Sequence, residues 1–419
     1  MSPNTSAGVS SSTNFLENVF VVMGHPLESS FSITFKPFKS YMTNLSIIEV
    51  KSPGDRKDFL DVARQIYRDD PHWVCPLEDN IESVFDPERN NFHKEGQCTR
   101  WVLTDGQGKL IGRIAAFINA KKALTYDVPT GGCGFFECTN VPDAARLLFD
   151  TAREWLAARG MKAMEGPINF GENDMWWGLL VEGFTMPYYG LNYNPPYYKA
   201  FFEDYGFQVS YEQISNRIDL RKSFPERFTK IANWVAKKGG YTFQHLDMKD
   251  FGKYARDFME VYNDGWDDFA HFTPIKEATV YETFRKMKPV ADENLIWFAY
   301  NGTEPIAFVV LLPDTNELIR NLNGKLNLFG KLKFVWNKFT VKHKRMRAVV
   351  MGTKHAYRNL GVESALFVRL KEYVAPLSHY QEVELSWVGD FNKKMIAVHQ
   401  ATGAEFAKRH VTYSFSFPA

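Results

Sequence analysis

Apolar residues along this chain fall into two patterns. Short runs that alternate or stay apolar, bounded by Gly, Asn, Asp or Pro, read as strands, and longer stretches with apolar residues three or four apart read as helices. Between residues 46 and 220, "LSIIEV" predicts a strand and residues 54–70 predict a helix with Phe59, Val62, Ala63 and Ile66 on one face. "RWVLTD" and "LIGRIAAFIN" then flank Gly106-Gln107-Gly108, a turn made of residues that tolerate positive φ, so a hairpin follows. "CGFFEC" is a strand, residues 142–160 a helix ended by Gly160, and "AMEGPIN" another strand. "NPPYYKAFFEDYGF" is a helix begun by Pro195 and Pro196 and ended by Gly206.

The same order returns after Arg221. Helices over 224–240 and 249–266 precede "LIWFAYNGTEPIAFVVLLP", a hairpin turning at Asn301-Gly302. After an insertion come strand "RAVVMG", helix "ESALFVRLKEYVAPL", strand "EVELSWV", helix "NKKMIAVHQATG" and the closing strands "AEFAKRHVTYSFSF". Both halves run hairpin, strand, helix, strand, helix ending in Gly, strand. The expected fold class is therefore α/β (α+β), a duplicated unit over 45–220 and 221–419 rather than one large sheet. Residues 1–44 are rich in Ser and Thr, lack the features of a signal peptide, and read as a disordered extension with the natural start at Met42; only "NVFVVM" looks structured there.

Charge changes the picture little overall and much locally. With 50 basic and 49 acidic residues the net charge is +1, which leaves no general field for nucleic acid. No apolar run reaches the length of a bilayer span. The four cysteines, Cys75, Cys98, Cys133 and Cys138, form no CxxC pair or zinc-ligand spacing, so buried reduced thiols in a cytoplasmic protein without a metal are expected. Residues 323–347, by contrast, concentrate lysine. Leu328, Leu332, Val335, Trp336 and Phe339 follow helical spacing there among Lys331, Lys333, Lys338, Lys342, Lys344 and Arg345. The plainer expectation is a helix packed into the core with its basic face solvated; peripheral contact with an anionic membrane, or contact with coenzyme A phosphates, are the alternatives.

The stretch "HAYRNLGVESAL" lies where a strand hands over to a helix. First-turn amides of a helix have no intrahelical acceptor and, with the helix dipole, attract anions. Gly361 allows backbone to approach a pyrophosphate, and Arg358 can add a charge-assisted contact. An ordinary strand-to-helix turn is the alternative.

"YRNLGVESAL" and "NKKMIAVHQATGAEF" resemble the phosphate-loop motif and the Asn-to-Gly-Phe helix of the GNAT acyl-CoA N-acyltransferase superfamily. "NPPYYKAFFEDYGF" gives the first unit the same resemblance, but its junction "FFECTNVPDAARLL" has no phosphate loop. With "LPDTN", "NGKLNLFG" and "ELSW", the whole is similar to a group of bacterial two-domain GNAT-like proteins. The resemblance implies a CoA thioester, acetyl-CoA or a longer acyl-CoA, as donor and a small-molecule or lipid amine as acceptor, in some members a long-chain, sphingoid-type amine. It places donor binding at Met351, Gly352, Arg358, Asn359, Leu360, Gly361, Val362, Glu363, Ser364 and Asn392. Glu363 departs from the family, which has Gly or Ala there, and its carboxylate would compete for the same amides. A non-catalytic ligand-binding protein and an aminoacyl-tRNA-dependent transferase are the other readings.

Acyl transfer to an amine needs a base for the amine, donors for the oxyanion and a proton for the thiolate. Glu384, on the strand after the loop helix, is placed as the base, although Glu382, Glu384 and Ser386 could equally alternate on a solvated face. His399 stands where the family often has a tyrosine that protonates the thiolate; a structural histidine is the alternative. A main-chain amide near Met351 or Gly352 is the natural oxyanion donor. Asp314, Asn316 and Trp387 are expected to line the acceptor cleft, and Trp177, within the glycine-punctuated aromatic loop 164–184, to cover the acyl chain; turn chemistry and packing between the units explain them as well.

Overall fold

A computed structural model of the chain describes residues 44–418, apart from 174, 238–239, 268–273 and 378. The proposed extension and "NVFVVM" lie outside these residues.

Thirteen strands form one sheet. They are β1 (Ser46–Glu49), β2 (Gly96–Thr104), β3 (Leu110–Asn119), β4 (Thr130–Cys138), β5 (Ala163–Gly166), β6 (Leu179–Glu182), β7 (Gln208–Asp219), β8 (Tyr241–His245), β9 (Ile296–Asn301), β10 (Glu304–Pro313), β11 (Arg345–Thr353), β12 (Glu382–Gly389) and β13 (Glu405–Ser416). Their order is β1-β2-β3-β4-β5-β13-β7-β12-β11-β10-β9-β8, with β6 also beside β13. This corrects the expectation of two units without one large sheet. The repeat is present, but each half gives its last strand to the other: β13 pairs with β5, and β7 pairs with β12. The two exchanged strands then pair antiparallel along most of their length, which fuses the sheets.

The repeat is visible in detail. In each half the fourth and fifth strands pair in parallel over three residues, Thr130–Gly132 with Ala163–Glu165 and Arg345–Arg347 with Glu382–Glu384. A parallel link needs a crossover, and the helices Pro142–Ala157 and Val362–Val374 provide it. Both fourth strands carry a bulge against the preceding strand. One falls near Phe135, whose φ is 50°, and the other leaves Val349 between Ala348 and Val350, which pair with Leu311 and Val310.

Local chemistry fixes the helix ends. Ser52 and Asp55 form a reciprocal capping box at the helix Pro53–Ile66, whose Phe59, Val62 and Ala63 are buried. Gly206, at φ 110°, closes the helix Tyr198–Tyr205 in the left-handed conformation that glycine adopts without strain. The N-terminal core gathers Leu148, Phe149, Phe202 and Phe207 around Val411 and Tyr413 of the borrowed strand β13.

The insertion departs from the core-packed expectation. Its helix Leu328–Thr340 turns inward through Asn337, whose Nδ2 donates to Leu318 O at 2.7 Å, and Phe334. Leu328, Phe329, Leu332, Val335, Trp336 and Phe339 face outward, with exposures from 52% at Val335 to 82% at Phe339. Among the described residues no helix is long and apolar enough to cross a membrane.

Candidate active site

The loop quoted above leaves β11 through a single 3-10 turn, His355–Tyr357, and enters the helix Val362–Val374. Asn359 and Gly361 adopt φ values of 62° and 82°, so the backbone doubles back twice within three residues. Gly361 is the N-cap, and no side chain caps the helix. Among the described residues no acceptor meets the amides of Asn359 through Ser364. Glycine is also needed for packing, because a Cβ at Gly361 would lie 2.6 Å from Ile231 Cγ2. Arg358 does not stand free beside these amides, since its Nη2 donates to Gly265 O. Glu363 sits in the first turn, half-buried.

Beyond Arg347 and Glu384, their last paired residues, β11 and β12 part. The Ser386 hydroxyl spans the parting and donates to Ala348 O at 2.5 Å. Met351 and Gly352 follow on β11, opposite Val309 and Phe308 of β10, and the absence of a side chain at Gly352 lets Trp266 lie against the strand. Glu384 is 1% exposed, which excludes the solvated-face alternative. Lys408 Nζ donates to Glu384 Oε2 at 2.8 Å, whereas Glu384 Oε1 is buried without a hydrogen-bond partner among the described residues.

His399, on the helix Lys393–Ala401, accepts at Nδ1 from Asn216 Nδ2 at 3.0 Å, which leaves its proton on Nε2. Burial pulls its pKa down to about 4, so at neutral pH it is an imidazole and not an imidazolium. Asn392 caps the same helix, its Oδ1 accepting from Met395 N at 3.1 Å.

Asp314 and Asn316 hold a loop of the N-terminal half against this face. Asp314 Oδ1 accepts from Tyr189 N at 3.0 Å, and Asn316 Nδ2 donates to Pro187 O at 2.9 Å. Arg345 ties the same place together, 2.9 Å from Asp314 Oδ2, 3.1 Å from Glu382 Oε1 and stacked at 3.8 Å on the Tyr188 ring. Burial raises the Asp314 pKa to about 6 despite Arg345. Loop 186–192 thereby roofs the carboxylates of β12.

On its other side, this loop walls an open cleft in the N-terminal half. Trp73, Leu77, Trp176 and Tyr189 line it with Asn316. At its floor, Tyr67 and Tyr198 donate to Glu137 Oε2 at 2.7 and 2.8 Å, and Arg113 Nη2 lies 3.4 Å from Oε1. Burial raises the Glu137 pKa. The sequence pattern did not single out this group, although a charge inside the apolar strands "LIGRIAAF" and "GFFEC" is a signal of it. Trp177 is not part of the cleft; it lines a smaller pocket beside Lys122 and Tyr126, its indole donating to Tyr211 Oη at 2.7 Å. Trp387 lies half-buried on β12.

No family model matches the chain. It is 30% identical over 385 residues to the bacterial ceramide synthase of Caulobacter vibrioides (strain NA1000 / CB15N), which spans 90% of this chain and 99% of that one. The chain belongs to the bacterial ceramide synthase family. Protein YghO of Escherichia coli (strain K12) is 28% identical over 368 residues, 86% of this chain and 92% of that protein. Among solved structures, the tandem GNAT protein from the clavulanic acid biosynthesis pathway (without AcCoA) matches with a TM-score of 0.52 over 90% of this chain and 100% of that chain, at 14% identity, a likeness of fold. The tandem GNAT architecture expected from the sequence is thus borne out, and this member of the ceramide synthase family is an acyltransferase that moves an acyl group to an amine.

Proposed function

We propose that the donor is an acyl-CoA bound by the C-terminal half, near residues 351–364, and that the acceptor is a long-chain, sphingoid-type amine shaped for reaction by the N-terminal half, the division falling near residue 220. One juxtaposition carries this reading. β11 leads from the parting beside Glu384 directly into the loop whose amides at 359–364 meet no acceptor among the described residues, so a single strand joins a buried, partnerless carboxylate oxygen to a turn able to receive an anion. The relative's name, bacterial ceramide synthase, supports the lipid amine. So does the aromatic cleft, which suits a hydrocarbon tail.

In this reaction the amine nitrogen attacks the thioester carbonyl, the C–S bond breaks and an amide and a free thiol form. Glu384 takes the proton the amine must lose, Lys408 fixing the carboxylate through its other oxygen. Main-chain amides near Met351 and Gly352 meet the developing oxyanion. His399, neutral, can offer its Nε2–H to the thiolate only as a hydrogen bond; the proton that the amine gives up to Glu384 is the one that returns, through solvent, to the thiolate, and Asn392 caps the helix that carries His399. An acceptor with a long chain resides in a bilayer, so the enzyme meets it at a membrane surface.

The test is direct. Purified full-length protein is incubated with sphinganine and either palmitoyl-CoA or acetyl-CoA, and thiol release and N-acyl product are followed together. Amine-dependent thiol release with a matching amide, lost in Glu384→Gln, is expected. Release of thiol without amide, or neither with either donor, would refute the assignment.

A further inference from the structure

We infer that the helix Leu328–Thr340 is an interfacial anchor that lies flat on an anionic bilayer and sets the mouth of the N-terminal cleft at the lipid surface. The inference rests on the proposed lipid acceptor for its purpose, though not for its geometry. At 3.6 residues per turn, Leu328, Phe329, Leu332, Val335, Trp336 and Phe339 fall within an arc of about 120°, and all six are exposed. The opposite side is fastened: Asn337 is bonded to Leu318 O, and Asn327 caps the first turn by accepting from Gly330 N at 3.0 Å. The apolar stripe is therefore the rigidly presented outer face, not a loosely packed inner one.

Charge selects the occupant. Exposed Lys331 and Lys338 border the stripe on one side and exposed Lys333 on the other, with exposed Lys325, Lys342 and Lys344 at its ends. No Asp or Glu occurs anywhere from residue 318 to residue 362 in a protein of net charge +1. An apolar stripe edged by lysine on both flanks matches the boundary between acyl chains and anionic headgroups; Lys333 Nζ and Lys338 Nζ each donate to one backbone carbonyl, Asn321 O at 2.9 Å and Pro289 O at 2.7 Å, and an ammonium keeps further donors for a phosphate. A protein partner or a second copy would leave those lysines facing one another or needing acidic counterparts that this face does not contain.

Position supplies the purpose. The turn before the helix is bonded to the cleft's lip: Gly324 O accepts from Glu78 N at 2.8 Å, and Arg64 Nη2 donates to Asn323 O at 3.0 Å. Trp73 to Leu77, on that lip, line the cleft itself. A helix resting on the bilayer through this turn brings the cleft to the level from which a lipid amine leaves the membrane.

The experiment is vesicle flotation of the full-length protein with phosphatidylcholine alone and with 30% phosphatidylglycerol, a composition chosen at about the level that gives an anionic surface. Binding to the anionic vesicles, reduced at least tenfold in Phe329→Ser/Trp336→Ser/Phe339→Ser and in Lys331→Glu/Lys342→Glu, is expected. These side chains are exposed, and an unchanged Tm will verify that each variant folds. Absence of binding to any vesicle overturns the inference, as does binding that both variants retain. A dimer in sedimentation that the triple variant dissolves, without vesicle binding, assigns the face to a second copy and overturns it too. Because flotation needs no turnover, vesicle binding without acyl transfer upholds the anchor while refuting the proposed reaction.

Discussion

Lys408 reaches Glu384 across a strand that belongs to neither residue: the two stand on β13 and β12, and β7 runs between them, yet Nζ and Oε2 are 2.8 Å apart with both side chains buried. Removing one member strands the other's charge. Lys408→Met is expected to cost about 3–5 kcal/mol in chemical denaturation. The double variant Glu384→Leu/Lys408→Met should regain most of that stability and none of the activity. Glu384→Gln keeps the shape and should lower kcat about 10²–10⁴-fold if the carboxylate is the base. A kcat within a few-fold of the parent would remove Glu384 from the chemistry.

Gly361 is constrained twice, by its φ of 82° and by Ile231. A side chain in the left-handed region costs roughly 1–2 kcal/mol, and Gly361→Ala adds a Cβ 2.6 Å from Ile231 Cγ2. Pairing it with Ile231→Ala should relieve the contact and leave the backbone strain, so the urea midpoint should recover only in part. Glu363→Gln acts on charge alone, removing a carboxylate from a first turn whose amides and dipole favour negative charge and which is the proposed donor site. Calorimetry with CoA should show tighter binding to Glu363→Gln and weaker binding to Gly361→Ala. Unchanged affinity in both places the donor elsewhere.

Two buried histidines predict sensitivity to mild acid. Burial lowers His399 and His410 from the usual 6.5 to about 4. Below pH 6.5 the unfolded chain binds protons that the folded chain does not, so their contribution is complete above pH 6.5 and drains away as pH falls toward 4. The limit is on the order of 3 kcal/mol for each, at 1.36 kcal/mol per pH unit. Asp314, raised from 3.8 to about 6, works in the opposite sense between those values, because the folded state holds that proton more tightly. The histidine share is therefore read as a difference: His410→Gln should show a shallower fall in unfolding free energy from pH 6.5 to 5 than the parent. Equal slopes would mean that His410 is charged in the fold.

Much of this architecture was legible because its signals are local. Hairpin turns at Gly106-Gln107-Gly108 and Asn301-Gly302, the glycine stop at Gly206 and the loop at Gly361 each depend on a residue that tolerates the left-handed conformation. The exchange of β7 and β13 was not legible, since an alternating strand reads alike whichever neighbour it pairs with. For the same reason of symmetry, the stripe from Leu328 to Phe339 had the same spacing whether it faced a core or a lipid. Glu384 and Lys408 are 24 positions apart, and nothing short-range joins them. The grouping of Glu137, Arg113, Tyr67 and Tyr198 is likewise a product of topology, although its buried charges stood out in apolar strands.

The strand exchange makes a prediction about cooperativity. Tyr413 lies on the last strand, yet its ring is 1% exposed inside the N-terminal core, 5.6 Å from Phe202. Val411 is buried in the same cluster, and β7 in return completes the edge of β12. Neither half has a full sheet without the other, because each loses a central strand and exposes a long unpaired edge. Tyr413→Ala should therefore cost about 3–5 kcal/mol, as large aromatic truncations in cores do, and should destabilise both halves equally. Hydrogen exchange can separate them: amides of β3 in one half and β10 in the other should gain the same increment in opening rate. Faster exchange confined to β3 would show that the halves unfold independently and that the shared strands do not couple them.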